Sequence, residues 1–319
     1  MTRSSIRPSA YAVALAALSS VLVACGQAQG PAGGSGSSGT SAPSTPSNST
    51  LTSAPSSSGS GSASDGAMPI PASCLKDTLP THTAGKLTVG TDNPAYEPWF
   101  SGNDPSNGKG YESAVAYAIA EKLGYAAGDV TWVKVPFTKA VLPGAKDFDF
   151  DVNQVSITDA RKKAIDFSSG YYDVVQAVVT YKGSPIDGKT TVADLKSATL
   201  GAQVGTTSLL AIADQIGAKQ MVYDTNDAAV QALKAKQIDG IVVDLPTAFY
   251  MTAAQMDDGV IVGQLPLTGT TPEQFGAVLD KGSALTPCVS AAVDYLRADG
   301  TLAKLVGDWL SSAGAPELT

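Results

Sequence analysis

Histidine is almost absent: His82 alone serves all 319 residues, in a Pro- and Thr-rich lead-in before the first expected strand. That scarcity excludes a histidine-based triad, a histidine general base in a folded pocket and the common His-rich metal sites. The chain also has no G-x-x-x-x-G-K-[ST], C-x-x-C or H-E-x-x-H pattern, so phosphate-loop, dithiol and zinc-protease chemistry lack their signatures. No cofactor and no metal are therefore expected. Cations are scarce too, with 21 Lys and Arg against 29 Asp and Glu for a net charge of -8, which argues against nucleic acid or anionic lipid as the main partner. Between Gln27 and Ser64 charge vanishes altogether, and the stretch is nearly all Ser, Gly, Pro, Thr and Ala. Such a composition buries too little apolar surface to offset the entropy of ordering, so residues 25–72 are expected to be a disordered tether. At about 45 residues its r.m.s. reach is roughly 35 to 40 Å. Gly34, Gly36 and Gly39 inside it spell G-x-G-x-x-G, but no strand precedes them and no helix follows, so the motif is a decoy.

What is present begins with a leader. Residues 1–24 carry Arg3 and Arg7, then an apolar stretch from Tyr11 to Ala24, the layout of a secretory signal and short for a membrane span. Its removal leaves 29 acidic against 19 basic side chains, a net of about -10. Leu22, Val23, Ala24 and Cys25 resemble the Leu-x-Ala-Cys box of bacterial lipoprotein signals. By that resemblance Cys25 becomes the lipidated first residue, and the protein sits on the outer face of the cytoplasmic membrane through its lipid. With Cys25 on lipid, Cys74 and Cys288 remain as an even pair in a secreted chain, where oxidation is the default. A disulfide is expected between the N-terminal edge of the folded region and a late helix.

From Leu87 onward, short apolar runs alternate with helical stretches. Strands are expected at 87–91, 130–135, 149–155, 174–181, 199–204, 220–225, 240–244 and 274–279, and helices at 113–124, 207–217, 226–237, 246–256, 288–297 and 301–311. This alternation reads as an α/β fold built of β-α-β units around mostly parallel sheets, where ligands bind beyond the carboxyl ends of strands.

Three strand ends carry candidate chemistry. In "NQVSITDARKKAIDF" Thr158 and Asp159 are helix-start residues, which puts Arg161 in a first turn, where a cation is disfavoured unless it holds an anion. A bound carboxylate there would also meet the Ser156 or Thr158 hydroxyl; the plainer alternative is an exposed salt bridge, with Lys162 and Lys163 as a solvated face. Gly205, Thr206 and Thr207 end another strand and open a helix, either as an anion site or as a simple cap. Asp244 follows an apolar strand and precedes Pro246, so it is either an N-cap or a carboxylate for an ammonium group. Asp92 and Tyr96 lie on a Pro-stiffened loop after the first strand, and Tyr96 and Phe137 are candidate pocket walls. Trp99 and Phe100 read better as core.

Six ordered segments, "LTVGTDNPAYEPWF", "GKGYESAVAYAIAEKLG", "SITDARKKAIDFSSGYY", "VADL" with "GAQVGTTS", "VVDLPTAFY" and "LRADGTLAKLVGDWL", resemble bacterial extracellular solute-binding proteins of the polar-amino-acid ABC importer family. The resemblance runs from about Lys86 to about Trp309. It implies a two-lobed periplasmic-binding-protein fold, two α/β lobes joined by two crossing strands with ligand in the cleft. Carried over, the first lobe is 85–181 plus 272–312 and the second 182–271, with hinges near Lys182 and Thr270. The resemblance implies that Arg161, Ser156 and the Gly205, Thr206, Thr207 turn hold the α-carboxylate of an amino acid. It also implies that Asp244 takes the ammonium and that Tyr96 and Phe137 sandwich the ligand near Asp92. Asn153 and Gln154 depart from the family's small residues before S-I-T, Gly110, Tyr111, Glu112 stand where it has G-F-D, and an extra residue follows Asp92. These departures put the ligand's identity in doubt, with Gln154 placed on the side-chain half of the pocket. The expected protein is a monomeric, lipid-anchored, non-enzymatic receptor whose partners are an amino acid and an ABC permease. Two other classes stay open: an enzyme resembling cyclohexadienyl or arogenate dehydratases, with Glu112 as the protonating carboxylate, and a sensory ectodomain. The second needs another membrane segment and an output domain, neither of which precedes Thr319.

Overall fold

Apolar runs closed off by Gly, Pro, Asp and Thr become, in the computed structural model, two five-stranded mixed sheets packed against helices. The structure describes residues 68–310 and 314–319; the expected leader, Cys25 and nearly all of the expected tether lie outside the described residues. In the first lobe, β1 (Leu87–Thr91) leads to α1 (Tyr111–Lys122), β2 (Val130–Lys134) and α2 (Phe137–Ala140). There follow β3 (Phe150–Asp151), α3 (Asp159–Lys162) and β4 (Asp166–Val174). The second lobe holds β5 (Gln176–Tyr181), β6 (Thr199–Gln203), α4 (Thr207–Ala211), β7 (Lys219–Tyr223) and α5 (Asn226–Lys234). It continues through β8 (Gly240–Asp244), α6 (Leu245–Tyr250) and β9 (Gly259–Gln264). The chain then returns to the first lobe for β10 (Glu273–Leu279), α7 (Thr286–Ala298) and α8 (Thr301–Trp309). Sheet order is β2-β1-β3-β10-β4 in the first lobe and β7-β6-β8-β5-β9 in the second.

The helices obey the pattern that predicts them. α7 buries Cys288, Val289, Ala292, Val293 and Leu296, the spacing of one helical face, and presses them on α1 and β4. Thr225 starts α5 by accepting the Ala228 N–H at 3.1 Å. Cys74, at the end of a short turn Ala72–Cys74, is bonded to Cys288, so the disulfide joins the edge of the folded region to α7. The end of the expected tether is thus already packed, since Ile70 also lies against the first-lobe core.

Several expectations about elements are corrected. The run 174–181 is two strands, not one. A single residue, Val175, separates β4 from β5, and β5 pairs antiparallel with β8 and β9, which places the first crossing at Val175 and not near Lys182. The return crossing lies between Gln264 and Glu273. β4 and β9 were not foreseen: β4 mixes polar and aromatic residues without a clean alternation, and β9 is a short Gly-flanked run, GVIVGQ. The expected strand 149–155 stops at Asp151, where Asn153 and Gln154 turn and Gln154 takes a left-handed φ of 50°. The helices expected at 207–217 and 246–256 each change into a wider π turn half-way, at Ile212–Ile216 and Met251–Gln255. Beyond α8 the chain reappears on the second lobe, where Glu317 bridges to Gln264 and Leu318 is buried beside Leu265.

Candidate functional site

The carboxyl ends of the strands face each other across one cleft. Its walls include Asp92, Tyr96, Phe137, Gln154, Ser156, Arg161, Thr206, Thr207 and Asp244, so nine of the ten residues anticipated for the site come together. Gly205 does not line the cavity; its carbonyl instead accepts Arg161 Nη2 at 2.9 Å from the opposite lobe. Asn153, Gln203, Ser208, Asn226 and Val243 complete the lining.

Arg161 is placed as its local sequence demands. Thr158 caps α3, its hydroxyl accepting the Arg161 N–H at 3.2 Å, and the guanidinium swings back so that Nη1 donates to the Ser156 carbonyl. Phe137, the first residue of α2, supports it with its ring centroid 5.5 Å from Cζ. Burial pushes the Arg161 guanidinium below its usual range, against the opposing pull of Glu273 and Asp244. Two carbonyls use one donor on each terminal nitrogen, which leaves guanidinium N–H groups for an anion. Lys162 and Lys163 are exposed, Lys162 facing Asp159 at 3.5 Å, so they form the solvated face.

A residue that sequence reasoning missed sits beside this anchor. Glu273, at the start of β10 on the return crossing, accepts the Ser156 hydroxyl and the Thr207 hydroxyl, each at 3.0 Å. The two hydroxyls lie 3.2 Å apart across the lobes. One carboxylate thus ties both lobes together next to the guanidinium. Its only sequence signal was position, one residue ahead of an expected strand.

Asp244 stands at the end of β8 but caps no N–H of α6. Its Oδ1 accepts Gln176 Nε2 at 2.8 Å, and Gln176 Oε1 in turn accepts the Ser208 hydroxyl at 2.6 Å. Burial raises its carboxyl to about 7, the nearby Glu273 and Glu112 add to this, and Gln176 and Arg161 oppose it. An ammonium group beside it would favour the ionised form. Asp92 is fixed by backbone donors, its Oδ1 accepting the Asn93 N–H at 2.7 Å and its Oδ2 the Phe137 N–H at 3.1 Å. The Tyr96 hydroxyl is buried near Thr225 and Asp227 of the second lobe, and burial, with the Asp227 charge, pushes it up to about 12. Trp99, wholly buried as expected of core, donates from Nε1 to Thr247 Oγ1 on α6 at 3.0 Å, another bond across the lobes.

Glu112 does not stand where the dehydratase alternative requires it. It is wholly buried in the first turn of α1 and does not line the cavity. Its Oε1 accepts the Gln154 N–H at 2.7 Å and the Tyr171 hydroxyl, and its Oε2 accepts Gln154 Nε2. Burial raises it to about 7 against those three donors. A carboxyl so enclosed is out of reach as a proton donor to a substrate.

Residues 87–312 match the family of bacterial extracellular solute-binding proteins, family 3. The chain belongs to that family. This solute-binding protein is 30% identical over 233 residues to the L-cystine-binding protein TcyJ of Escherichia coli (strain K12), covering 72% of this chain and 84% of that protein. Among solved structures, an ancestral arginine-binding protein bound to arginine aligns at 29% identity and a TM-score of 0.59, over 72% of this chain and 100% of that chain. The ancestral amino acid-binding protein AncCDT-1, described as a precursor of cyclohexadienyl dehydratase, aligns at 27% identity and a TM-score of 0.59, over 71% of this chain and 95% of that chain. The two-lobed architecture is that of periplasmic amino-acid-binding proteins. The named relatives are binding proteins, and this chain is a solute-binding protein, not an enzyme. No helix of the described residues is long and apolar enough to cross a membrane.

Proposed function

We propose that the cleft captures a free α-amino acid with a polar, non-acidic side chain and delivers it to the permease of an ABC importer. The observation that carries this is the pairing of opposite charges in one cavity: Arg161 from the first lobe and Asp244 from the second. A zwitterion presents a carboxylate and an ammonium one carbon apart, and only a ligand carrying both satisfies both groups when the lobes meet. Ser156 and Thr207 flank the carboxylate end, and Tyr96 and Phe137 wall the ligand. The remaining polar lining is Asp92 with the amides of Asn153, Gln154, Gln203 and Asn226, and Arg161 is the only cation among the lining residues. An acidic side chain would enter this half without a partner, at the cost of an unpaired buried charge. Relatives named for L-cystine and for arginine have ligands consistent with that chemistry.

Contacts from both lobes favour the closed form, which is the differential affinity a hinged receptor requires. Lipidation at Cys25 and the tether would keep the receptor beside its permease at the outer face of the membrane. Replacing Cys25 by Ser is expected to release the protein into the soluble fraction.

The deciding experiment is calorimetry of Arg161→Ala, after a thermal-shift screen of amino acids has found a ligand. Loss of a buried charge partner is expected to weaken binding by about 2–5 kcal/mol or more, a factor of at least about 30. An affinity equal to that of the native protein removes Arg161 from the site and the amino-acid reading with it.

A further inference from the structure

Gln154 lines the cavity, and its backbone and its side chain are both held by one carboxylate outside it. Its left-handed backbone, at φ 50°, brings its N–H and its Nε2 onto the same Glu112 carboxylate. A third donor, the Tyr171 hydroxyl, converges on that carboxylate from β4. Three donors meeting one group require an acceptor there, and a carboxylate accepts at both oxygens. The side-chain amide of Gln154 is therefore oriented, because an amide has one donor end and one acceptor end. With Nε2 tied to Glu112, Oε1 is the end left over, on a residue that lines the cavity, and no donor among the described residues holds it.

We propose that Glu112 is a positioning residue for ligand selectivity: by holding the Nε2 end of Gln154 it presents Oε1 to the cleft and biases the site toward side chains that donate hydrogen bonds. This rests on the amino-acid reading of the cleft. Glu112 does not line the cavity and acts on it through Gln154. Its exclusion from the cavity, which disqualifies it as an acid, is what suits it to this task. The oxygen of an amide and the nitrogen differ little in size, so shape alone would not discriminate between donor and acceptor ligands. A fixed orientation does, since the wrong ligand leaves two acceptors or two donors facing each other unpaired.

Glu112→Gln tests this with little change of volume. The new amide at position 112 can accept from the Gln154 N–H and the Tyr171 hydroxyl, while its NH2 end faces the Gln154 side chain. Gln154 then has to offer Oε1 to position 112 and turn Nε2 toward the cleft. Affinities for L-glutamine, whose side-chain amide can donate, and L-glutamate γ-methyl ester, whose uncharged side chain only accepts, are measured at pH 8, where the native Glu112 is mostly ionised; both side chains are neutral, so the charge lost in the variant does not set the ratio. The ratio of the two is expected to fall by about tenfold in Glu112→Gln relative to the native protein. Adding Gln154→Glu to that variant puts a carboxylate, an acceptor at both oxygens, in place of the turned amide and is expected to restore the preference for L-glutamine over the ester. A merely structural role would weaken both ligands equally and leave the double variant no better, and that result overturns the proposal.

A second readout needs no ligand. In the 15N spectrum of the unliganded protein, the Gln154 side-chain amide, assigned by its loss in Gln154→Leu, is expected to exchange slowly with solvent and to exchange fast in Glu112→Gln. Equal exchange in the two proteins overturns the proposal whatever the cleft binds. If Arg161→Ala binds as the native protein does, the amino-acid reading falls while this exchange measurement still decides the role of Glu112.

Discussion

Replacing Thr247 by Val takes one oxygen from the contact between the lobes and almost no volume. Trp99 is anchored on the first lobe by edge-to-face packing on Tyr172 and Phe275, each with ring centroids 5.5 Å away, and on Tyr111 at 6.1 Å. Those rings belong to α1, to β4 and to β10, so the indole stays with the first lobe when the lobes part. Its Nε1 reaches Thr247 on α6 of the second lobe at 3.0 Å, and both residues are buried. In the closed form of Thr247→Val that N–H has no acceptor, which costs about 1–3 kcal/mol. In an open form water reaches it and the cost disappears. The penalty therefore falls on closure alone, and because ligand is held by both lobes, affinity drops by the same free energy, about 5- to 150-fold. Calorimetry of the best ligand from the amino-acid screen gives the affinity, and small-angle scattering of the unliganded protein gives the shift toward the open form. Thr247→Ser keeps the hydroxyl and is expected to behave as the native protein. Native affinity in the Val variant, or an equal loss in the Ser variant, refutes the argument.

Three other outcomes follow from the same geometry. Asp244, raised to about 7 by burial, is mostly protonated in the unliganded protein at pH 6, and a ligand ammonium favours its ionised form. Binding at pH 6 should then release close to one proton, with affinity falling as pH drops below about 7; calorimetry in buffers of different ionisation enthalpy reads this, and no proton release would contradict it. The Cys74–Cys288 bond closes a loop spanning 214 positions, so denaturant titration of Cys74→Ser/Cys288→Ser is expected to show a loss of about 2–5 kcal/mol. Gly110 has φ 92° and a Cβ there would lie 2.5 Å from the Trp99 carbonyl oxygen and 2.6 Å from Phe100 Cα, so Gly110→Ala should lower stability by more than about 2 kcal/mol in thermal melts.

The sequence was most legible where one residue's chemistry conflicts with its surroundings. Arg161 in a first turn and Asp244 after an apolar strand each posed a local electrostatic problem, and both turn out to line the cleft. The α/β alternation was legible because helix and strand periodicities differ so plainly. Interactions between distant segments were not. Nothing in the run before "QFGAVL" distinguishes Glu273 from an exposed carboxylate, because its partners Ser156 and Thr207 lie 117 and 66 positions away. The break at Val175 was hidden for a related reason: two consecutive β segments look like one strand until pairing assigns them to different sheets. Glu112 was a candidate for the cleft only under the dehydratase alternative, whereas Tyr171 and Gln154, 59 and 42 positions along, enclose it in the interior.

The return of the chain to the second lobe after α8 has a mechanical meaning. A clamshell with two crossings turns about an axis through them, here Val175 and the segment between Gln264 and Glu273. The passage from Trp309 to the Glu317 bridge is a third covalent link, running from the first lobe to the β9 edge of the second. At roughly eight residues it spans no more than about 26–29 Å when pulled straight. Any rotation that carries β9 farther than that from α8 must first break the backbone bonds that Pro316, Leu318 and Thr319 make to Gln264, Thr190 and Val192 and draw Leu318 out of the second-lobe core. The reach of the opening is thus tied to how firmly the last residues grip the second lobe, through the buried Leu318 and the backbone bonds to Gln264, Thr190 and Val192, as well as to the hinges.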